Sequence, residues 1–159
     1  MAVLEHLEPG RVFHFFEQMS AIPRGSGNTK AVSDWLAEFA RERGLRYQQD
    51  ALNNIIIFKD ASAGYEGAEP VILQGHMDMV CEKAPDCGKD MTREGLDLAI
   101  DGDFVYAKGT TLAVTTASPW PWRWRCWTTR ACPIPPLRRS SPWTRRRAWT
   151  GPWALTCPA

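Results

Sequence analysis

The composition of this chain changes abruptly near residue 112, and this break limits what the chain can fold into. Residues 1–112 hold all 18 acidic residues and 11 of the 19 Lys and Arg residues, a net formal charge of −7. Residues 113–159 hold no Asp, Glu or Lys but eight Arg, together with seven of the eight Trp and eight of the twelve Pro residues. Proline interrupts every stretch of helical or strand periodicity there. We therefore predict one folded unit, residues 1–112, and a disordered Trp/Arg/Pro-rich tail, residues 113–159.

Length, hydropathy and cysteine usage exclude several classes of protein. No apolar run approaches the roughly 20 residues that a membrane-spanning helix needs. The first residues include acids, unlike the basic and apolar pattern of a secretion signal. The five cysteines form no Cys-x-x-Cys pair, which argues against a structural zinc site, and their odd number argues against a disulfide framework. We expect a cytoplasmic protein with no membrane partner.

The pattern of residues 1–112 predicts an α/β unit. Apolar residues recur at helical spacing over residues 9–20 and 29–43, where Thr29 is the predicted N-cap and Gly44 the stop. The predicted buried stripe of the second helix comprises Val32, Trp35, Leu36 and Phe39. Strands are predicted over residues 47–49, 54–59, 70–74, 96–100 and 104–107. The run 70–74 is continuously apolar, which is typical of a strand buried on both faces, and residues 101–103 (DGD) predict a hairpin turn.

The residues best suited to chemistry directly follow that apolar run. His76 and Asp78 leave the carboxyl end of the predicted strand, where open α/β sheets bind ligands. Two residues apart in an extended segment, their side chains point to the same side. His76 could bind a metal ion while Asp78 orients the ring and tunes its basicity. A structural His-x-Asp contact is the alternative, and these residues alone leave both interpretations open.

The other candidate motifs are weaker. His6 and His14 are predicted to be surface or packing residues. Residues 25–28 (GSGN) lack the preceding strand and the following Lys-Ser/Thr of a phosphate-binding loop. Residues 101–103 lack the remainder of a calcium-binding EF-hand loop, so a turn is the better interpretation.

Four segments together resemble a known family. The chain is similar to the aminoacyl-histidine dipeptidases, also called Xaa-His or cytosolic non-specific dipeptidases, within the dizinc metallopeptidases that include carnosinases and aminoacylases. The resemblance extends without a gap over residues 9–112. It rests on the segments FE…IPRGSGN at 16–28, D…NN at 50–54, LQGHMDMV at 73–80 and AKGTTL at 107–112.

The resemblance implies a function and a set of roles. The fold would be the N-terminal part of a zinc-peptidase-like catalytic domain, a mixed sheet with helices, in a two-domain protein that is often a homodimer. His76 would bind one of two Zn²⁺ ions, with Mn²⁺ or Co²⁺ as alternatives, and Asp78 would be the catalytic-site carboxylate that hydrogen-bonds a zinc ligand. The substrates would be small peptides. The family's metal-bridging Asp and its Glu-Glu pair, general base and ligand, are absent after Leu112.

A shift of reading frame near Leu112 explains the tail. If one base is missing, each original codon is the last base of one tail codon plus the first two bases of the next. Trp has a single codon ending in G, so Trp120-Pro121 must restore Ala, and Trp127-Thr128 and Trp143-Thr144 must restore Asp. The segment 114–128 can restore Asp-Asn-Gly followed by a helix-forming run, and 142–146 can restore Val-Asp-Glu-Glu. These are the blocks that the family requires.

Two alternatives to an active enzyme are also open. The basic Trp/Arg tail could bind nucleic acid or an anionic membrane non-specifically, although the frame shift predicts no specific nucleic-acid partner. The chain could also be an unstable fragment with open strand edges. In either case the 159-residue chain itself is expected to have little or no peptidase activity.

Overall fold

The computed structural model describes residues 3–112 and the backbone of residues 137–138. Its elements, in chain order, are two helices followed by six strands. They are α1 (Gly10–Ser20), α2 (Lys30–Glu42), β1 (Tyr47–Gln49), β2 (Ile55–Lys59), β3 (Val71–Ile72), β4 (Leu98–Asp101), β5 (Phe104–Ala107) and β6 (Leu137–Arg138). The α/β class predicted from the sequence is confirmed.

Both helices form because their apolar residues recur at helical spacing and bury one face. The buried face of α1 comprises Val12, Phe15, Phe16, Met19 and Ser20, and that of α2 comprises Val32, Ser33, Leu36, Ala37, Phe39 and Ala40. Phe15 and Phe39 join the two helices edge to face, with ring centroids 5.7 Å apart. The predicted stripe of α2 is confirmed except for Trp35, which is only partly buried.

The ends of α2 agree with the sequence in one respect and differ in another. Gly44 follows the helix with φ of +62°, a left-handed conformation that glycine adopts without steric cost. The prediction that the Thr29 side chain caps α2 is wrong. Thr29 occupies the N-cap position, but its backbone is helical, and its side chain makes no capping hydrogen bond.

A four-stranded mixed sheet has the order β1-β2-β6-β3. β1 and β2 are antiparallel, with Tyr47 opposite Ile57, and β6 is antiparallel to β2 but parallel to β3. Ile55 and Ile57 point from β2 into the core and are almost fully buried. A separate hairpin pairs β4 with β5 around Gly102, whose φ is +55°, so the predicted turn at residues 101–103 is confirmed.

The prediction of a strand buried on both faces at residues 70–74 is wrong. β3 comprises only Val71 and Ile72, which are 38% and 58% exposed. β3 lies at the edge of the sheet and pairs only with β6 among the described strands. The continuous apolar run therefore marks an exposed sheet edge in this chain.

The tail lies almost entirely outside the described residues. The exception is β6, a two-residue strand where the sequence predicted none. The predicted disorder of residues 113–159, and the alternative that their Trp and Arg residues bind nucleic acid or a membrane, concern residues that the structure does not describe. No helix in the described part of the chain is long and apolar enough to cross a membrane.

Candidate functional site

The candidate site lies in the segment that follows β3, and a loop from the start of the chain holds this segment in place. The loop after α1 and the segment around Met79 form a parallel bridge between Gly25 and Met79. The Met79 amide donates a 2.9 Å hydrogen bond to the Arg24 carbonyl oxygen. The loop approaches closely because Gly25 has no side chain: a Cβ there would lie 2.9 Å from the Cys81 Sγ.

Arg24 is the most deeply buried charged residue of this contact, with 2% of its surface exposed. Its Nη1 donates a 3.2 Å hydrogen bond to the Met77 carbonyl oxygen, while Nε and Nη2 have no hydrogen-bond partner among the described residues. Burial lowers the pKa of Arg24, and the nearby Cys81 and Asp78 act to raise it. The segment is therefore fixed by a side chain that is itself incompletely satisfied.

His76 and Asp78 form a hydrogen-bonded pair on one side of the segment, as the sequence predicted. His76 Nδ1 lies 2.8 Å from Asp78 Oδ1. The second carboxylate oxygen, Oδ2, accepts a 2.7 Å hydrogen bond from the Ser26 hydroxyl. The His76 side chain is about half exposed, and that of Asp78 is one-third exposed. The pair is thus accessible from solvent and connected to the loop that carries Arg24.

The environment of Asp78 favours its ionised form. Its partial burial acts to raise the pKa of the carboxyl group, but the hydrogen bonds from Ser26 and His76 act in the opposite direction. The net pKa lies below the usual value for aspartate. Asp78 is therefore a charged hydrogen-bond acceptor at neutral pH, which suits a carboxylate that orients a histidine ring.

The pair has the donor arrangement of one metal ligand with its supporting carboxylate. Histidine ligands of metal ions usually donate the second ring N–H to a carboxylate or carbonyl, and here Asp78 Oδ1 lies 2.8 Å from Nδ1. A metal ion would accordingly be bound through Nε2 of His76. Among residues 3–112, no three His, Cys, Asp or Glu side chains lie close enough together to hold a metal ion. The described residues fit one ligand position and do not supply the others.

The remaining candidates do not join this site. His6 and His14 lie outside it, as predicted, and His14 lies edge to face with Phe15, with 5.3 Å between ring centroids. Cys81 and Cys87 are free thiols. Sequence analysis missed the parts played by Arg24 and Ser26. Residues 25–28 were interpreted as a weak phosphate loop and as part of the segment 16–28 that carries the family resemblance. No local pattern indicates that this loop contacts a segment about fifty residues away.

Two solved structures of low sequence identity share the overall fold of this chain. An aminopeptidase from Bacillus cereus matches with a TM-score of 0.65 and 15% identity, over 82% of this chain and 35% of that structure. A tripeptidase from Staphylococcus aureus matches with a TM-score of 0.61 and 16% identity, over the same shares of the two chains. At these identities the likeness concerns the fold alone. No family model matches the chain.

Two further relatives define the family. The cytosol non-specific dipeptidase of Escherichia coli strain K12 is 37% identical over 112 residues, which are 70% of this chain and 23% of that protein. The aminoacylhistidine dipeptidase of Vibrio alginolyticus superposes with a TM-score of 0.82 and 29% identity, over 87% of this chain and 28% of that one. The chain belongs to this dipeptidase family and spans about a quarter of the length of these relatives.

Proposed function

We propose that residues 1–112 are part of the catalytic domain of a cytoplasmic metal-dependent dipeptidase, and that His76 contributes one metal ligand. The observation that carries this proposal is the 2.8 Å contact between His76 Nδ1 and Asp78 Oδ1. This contact supports metal binding through Nε2 and holds the ring in one orientation. The names of the relatives, one of them a cytosol enzyme and both dipeptidases, support the substrate class and the compartment.

The residues of this chain would act by orientation. Asp78 holds the His76 ring in one orientation through the contact between Oδ1 and Nδ1. When bound, a dizinc centre would supply polarisation of the scissile carbonyl and an activated water at neutral pH. The substrates would be small peptides, including dipeptides with a C-terminal histidine.

The proposal includes a shifted reading frame after Leu112. The match to the Escherichia coli dipeptidase extends over 112 residues, 70% of this chain. The frame-shifted tail can restore an Asp and a Glu-Glu pair, whereas residues 113–159 as printed contain no Asp, Glu or His. A polypeptide of the printed sequence therefore holds one identifiable ligand, and we expect it to be inactive.

Dipeptide hydrolysis by two purified proteins tests this proposal. One is the printed 159-residue chain, and the other is the product of the gene with one base restored at the Leu112 codon. Each is incubated with Ala-His and Zn²⁺, and release of histidine is measured. The restored protein should hydrolyse Ala-His in a metal-dependent manner, and chelation or His76→Ala should abolish this activity.

Two outcomes would contradict the proposal. Zinc-dependent hydrolysis by the printed chain would show that the tail does not remove the site. Full activity of the restored protein with His76→Ala would show that His76 is not a ligand. His14→Ala, which changes a histidine outside the site, is the matched control and should retain activity.

A further inference from the structure

The Ser26 hydroxyl makes a contact that the proposed function does not by itself require. Ser26 precedes Asp78 by 52 residues, yet its Oγ donates a 2.7 Å hydrogen bond to Asp78 Oδ2. The other oxygen of the same carboxylate, Oδ1, is in hydrogen-bond contact with His76 Nδ1. Ser26, Asp78 and His76 therefore form a continuous chain of hydrogen bonds that begins in the loop after α1 and ends at the imidazole.

We propose that Ser26 is a positioning residue for His76, acting through Asp78 to hold the imidazole in the tautomer with its proton on Nδ1. The biological meaning rests on the proposed metal-dependent function, but the hydrogen-bond chain itself does not.

The tautomer of His76 follows from which of the three side chains has a proton to donate. An ionised carboxylate only accepts hydrogen bonds, and a serine hydroxyl has a single proton to donate. Because the ionised carboxylate has no proton of its own, the contact at Oδ1 uses a proton on His76 Nδ1, while the Ser26 bond occupies Oδ2. Both hydrogen bonds end on a charged acceptor, which makes them stronger than bonds between neutral groups. With Oδ2 fixed by Ser26, Oδ1 stays directed at the ring.

Contacts between the loop that contains Ser26 and the segment around Asp78 hold these two residues side by side. The parallel bridge between Gly25 and Met79 and the hydrogen bond from Met79 N to Arg24 O set the register of the two segments. Arg24 Nη1 donates a hydrogen bond to the carbonyl oxygen of Met77, the residue before Asp78. The loop and the segment are thus joined on both sides of Asp78, so the Ser26 hydroxyl reaches Oδ2 without a long flexible side chain.

The test is the tautomer of His76 in the metal-free 159-residue chain at alkaline pH, where free imidazole is neutral. Long-range ¹H–¹⁵N correlation spectra distinguish a protonated ring nitrogen from an unprotonated one. His76→Gln identifies the His76 signals among the three histidines. We expect the Nδ1–H tautomer to dominate in the unchanged chain. Ser26→Ala should shift the ratio of the two tautomers towards that of a free histidine side chain, and Ser26→Thr, which keeps the hydroxyl, should restore it.

A matched control separates positioning from general loss of structure. Thr92 Oγ1 donates a 2.6 Å hydrogen bond to Asp90 Oδ1, a hydroxyl–carboxylate contact that does not involve His76. Thr92→Val should leave the His76 tautomer unchanged. Because Ser26 is exposed, Ser26→Ala should also keep the dispersed backbone amide spectrum of the unchanged chain.

Three results would overturn the proposal. One is a tautomer ratio at His76 in the unchanged chain that equals the ratio of a free histidine side chain. Another is a predominance of the Nδ1–H tautomer that Ser26→Ala leaves unaltered. The third is collapse of the amide spectrum in Ser26→Ala but not in Ser26→Thr, which would assign Ser26 to the fold instead. Since the measurement uses no metal ion or substrate, its failure is distinguishable from failure of the proposed peptidase function.

Discussion

Arg24 Nη1 donates a 3.2 Å hydrogen bond to the carbonyl oxygen of Met77, 53 residues further along the chain. This contact brings a buried positive charge against the backbone between the candidate ligand His76 and its supporting carboxylate Asp78. The guanidinium keeps two nitrogens without a hydrogen-bond partner among the described residues. The contact thus stabilises the position of the segment while burying a charge that is only partly compensated.

The first prediction concerns the energetic balance at Arg24. Arg24→Ala should lower the free energy of unfolding by about 1–3 kcal/mol, because it leaves the buried Met77 carbonyl unpaired. Arg24→Met fills more of the space and buries no charge, so it should be less destabilising than Arg24→Ala. Urea unfolding followed by tryptophan fluorescence measures both. A greater loss for Arg24→Met than for Arg24→Ala would contradict this account of the contact.

The second prediction concerns the core between α2 and the sheet. Leu36 is fully buried, and Leu36→Ala should destabilise the chain by about 2–5 kcal/mol through lost burial and the cavity it leaves. Leu52 is 67% exposed, so Leu52→Ala should change stability by less than about 0.5 kcal/mol. The same urea titration compares the two. Equal losses for both leucines would show that the α2 core is not formed in solution.

The third prediction uses two glycines with different surroundings. A Cβ on Gly95 would lie 2.2 Å from the Ala21 carbonyl oxygen, beside the place where the Leu96 amide donates a 2.7 Å bond to Ser20 O. Because the Ala21 oxygen belongs to the backbone, Gly95→Ala should cost about 1–3 kcal/mol by overpacking. A Cβ on Gly88 would have no neighbouring atom within 4 Å, so Gly88→Ala is the control. Thermal unfolding should separate the two variants, and equal midpoints would be the contrary result.

The fourth prediction concerns acid stability. The hydrogen bond from the Asn54 side chain, followed by the Asn54 and Leu52 amides, holds the pKa of Asp50 below its usual range. A lowered pKa in the folded state contributes stability above the unfolded value of about 3.9, and this contribution is lost as the pH falls through the folded pKa. Stability should therefore decrease on acidification below about pH 4.

Asp50→Asn should make that acid dependence shallower, because the substituted residue no longer titrates. Asp60→Asn, which removes a carboxylate from an exposed position outside the turn, controls for the change in net charge. Urea midpoints measured across a series of acidic pH values make the comparison. An unaltered slope in Asp50→Asn would mean that this turn does not contribute to the acid sensitivity.

The features predicted correctly from the sequence are those fixed by residues close together in the chain. The apolar spacing around Phe15 and Leu36 specifies two helices, and an extended segment places His76 and Asp78 on one side. The resemblance to the dipeptidase family likewise rests on short local segments, among them residues 73–80.

The features that were missed depend on distant contacts or on pairing partners. Ser26 reaches Asp78 across 52 residues, and no periodicity or motif in the loop encodes that contact. The burial of Val71 and Ile72 was mispredicted because a continuous apolar run reports hydrophobicity and not the position of a strand within its sheet. The prediction of a capping hydrogen bond from Thr29 was wrong because the preference of threonine for N-cap positions does not determine the backbone conformation there.

The most direct test of the central claim is the DNA sequence of the gene from the codon of Thr110 past that of Ala159. We predict one additional base near the Leu112 codon. The corrected frame would then restore the Asp-Asn-Gly block and the Glu-Glu pair in place of the Trp- and Arg-rich tail. A sequence that encodes residues 113–159 as printed, with no additional base, would contradict the frame shift and leave His76 without the metal-bridging Asp and the Glu-Glu pair.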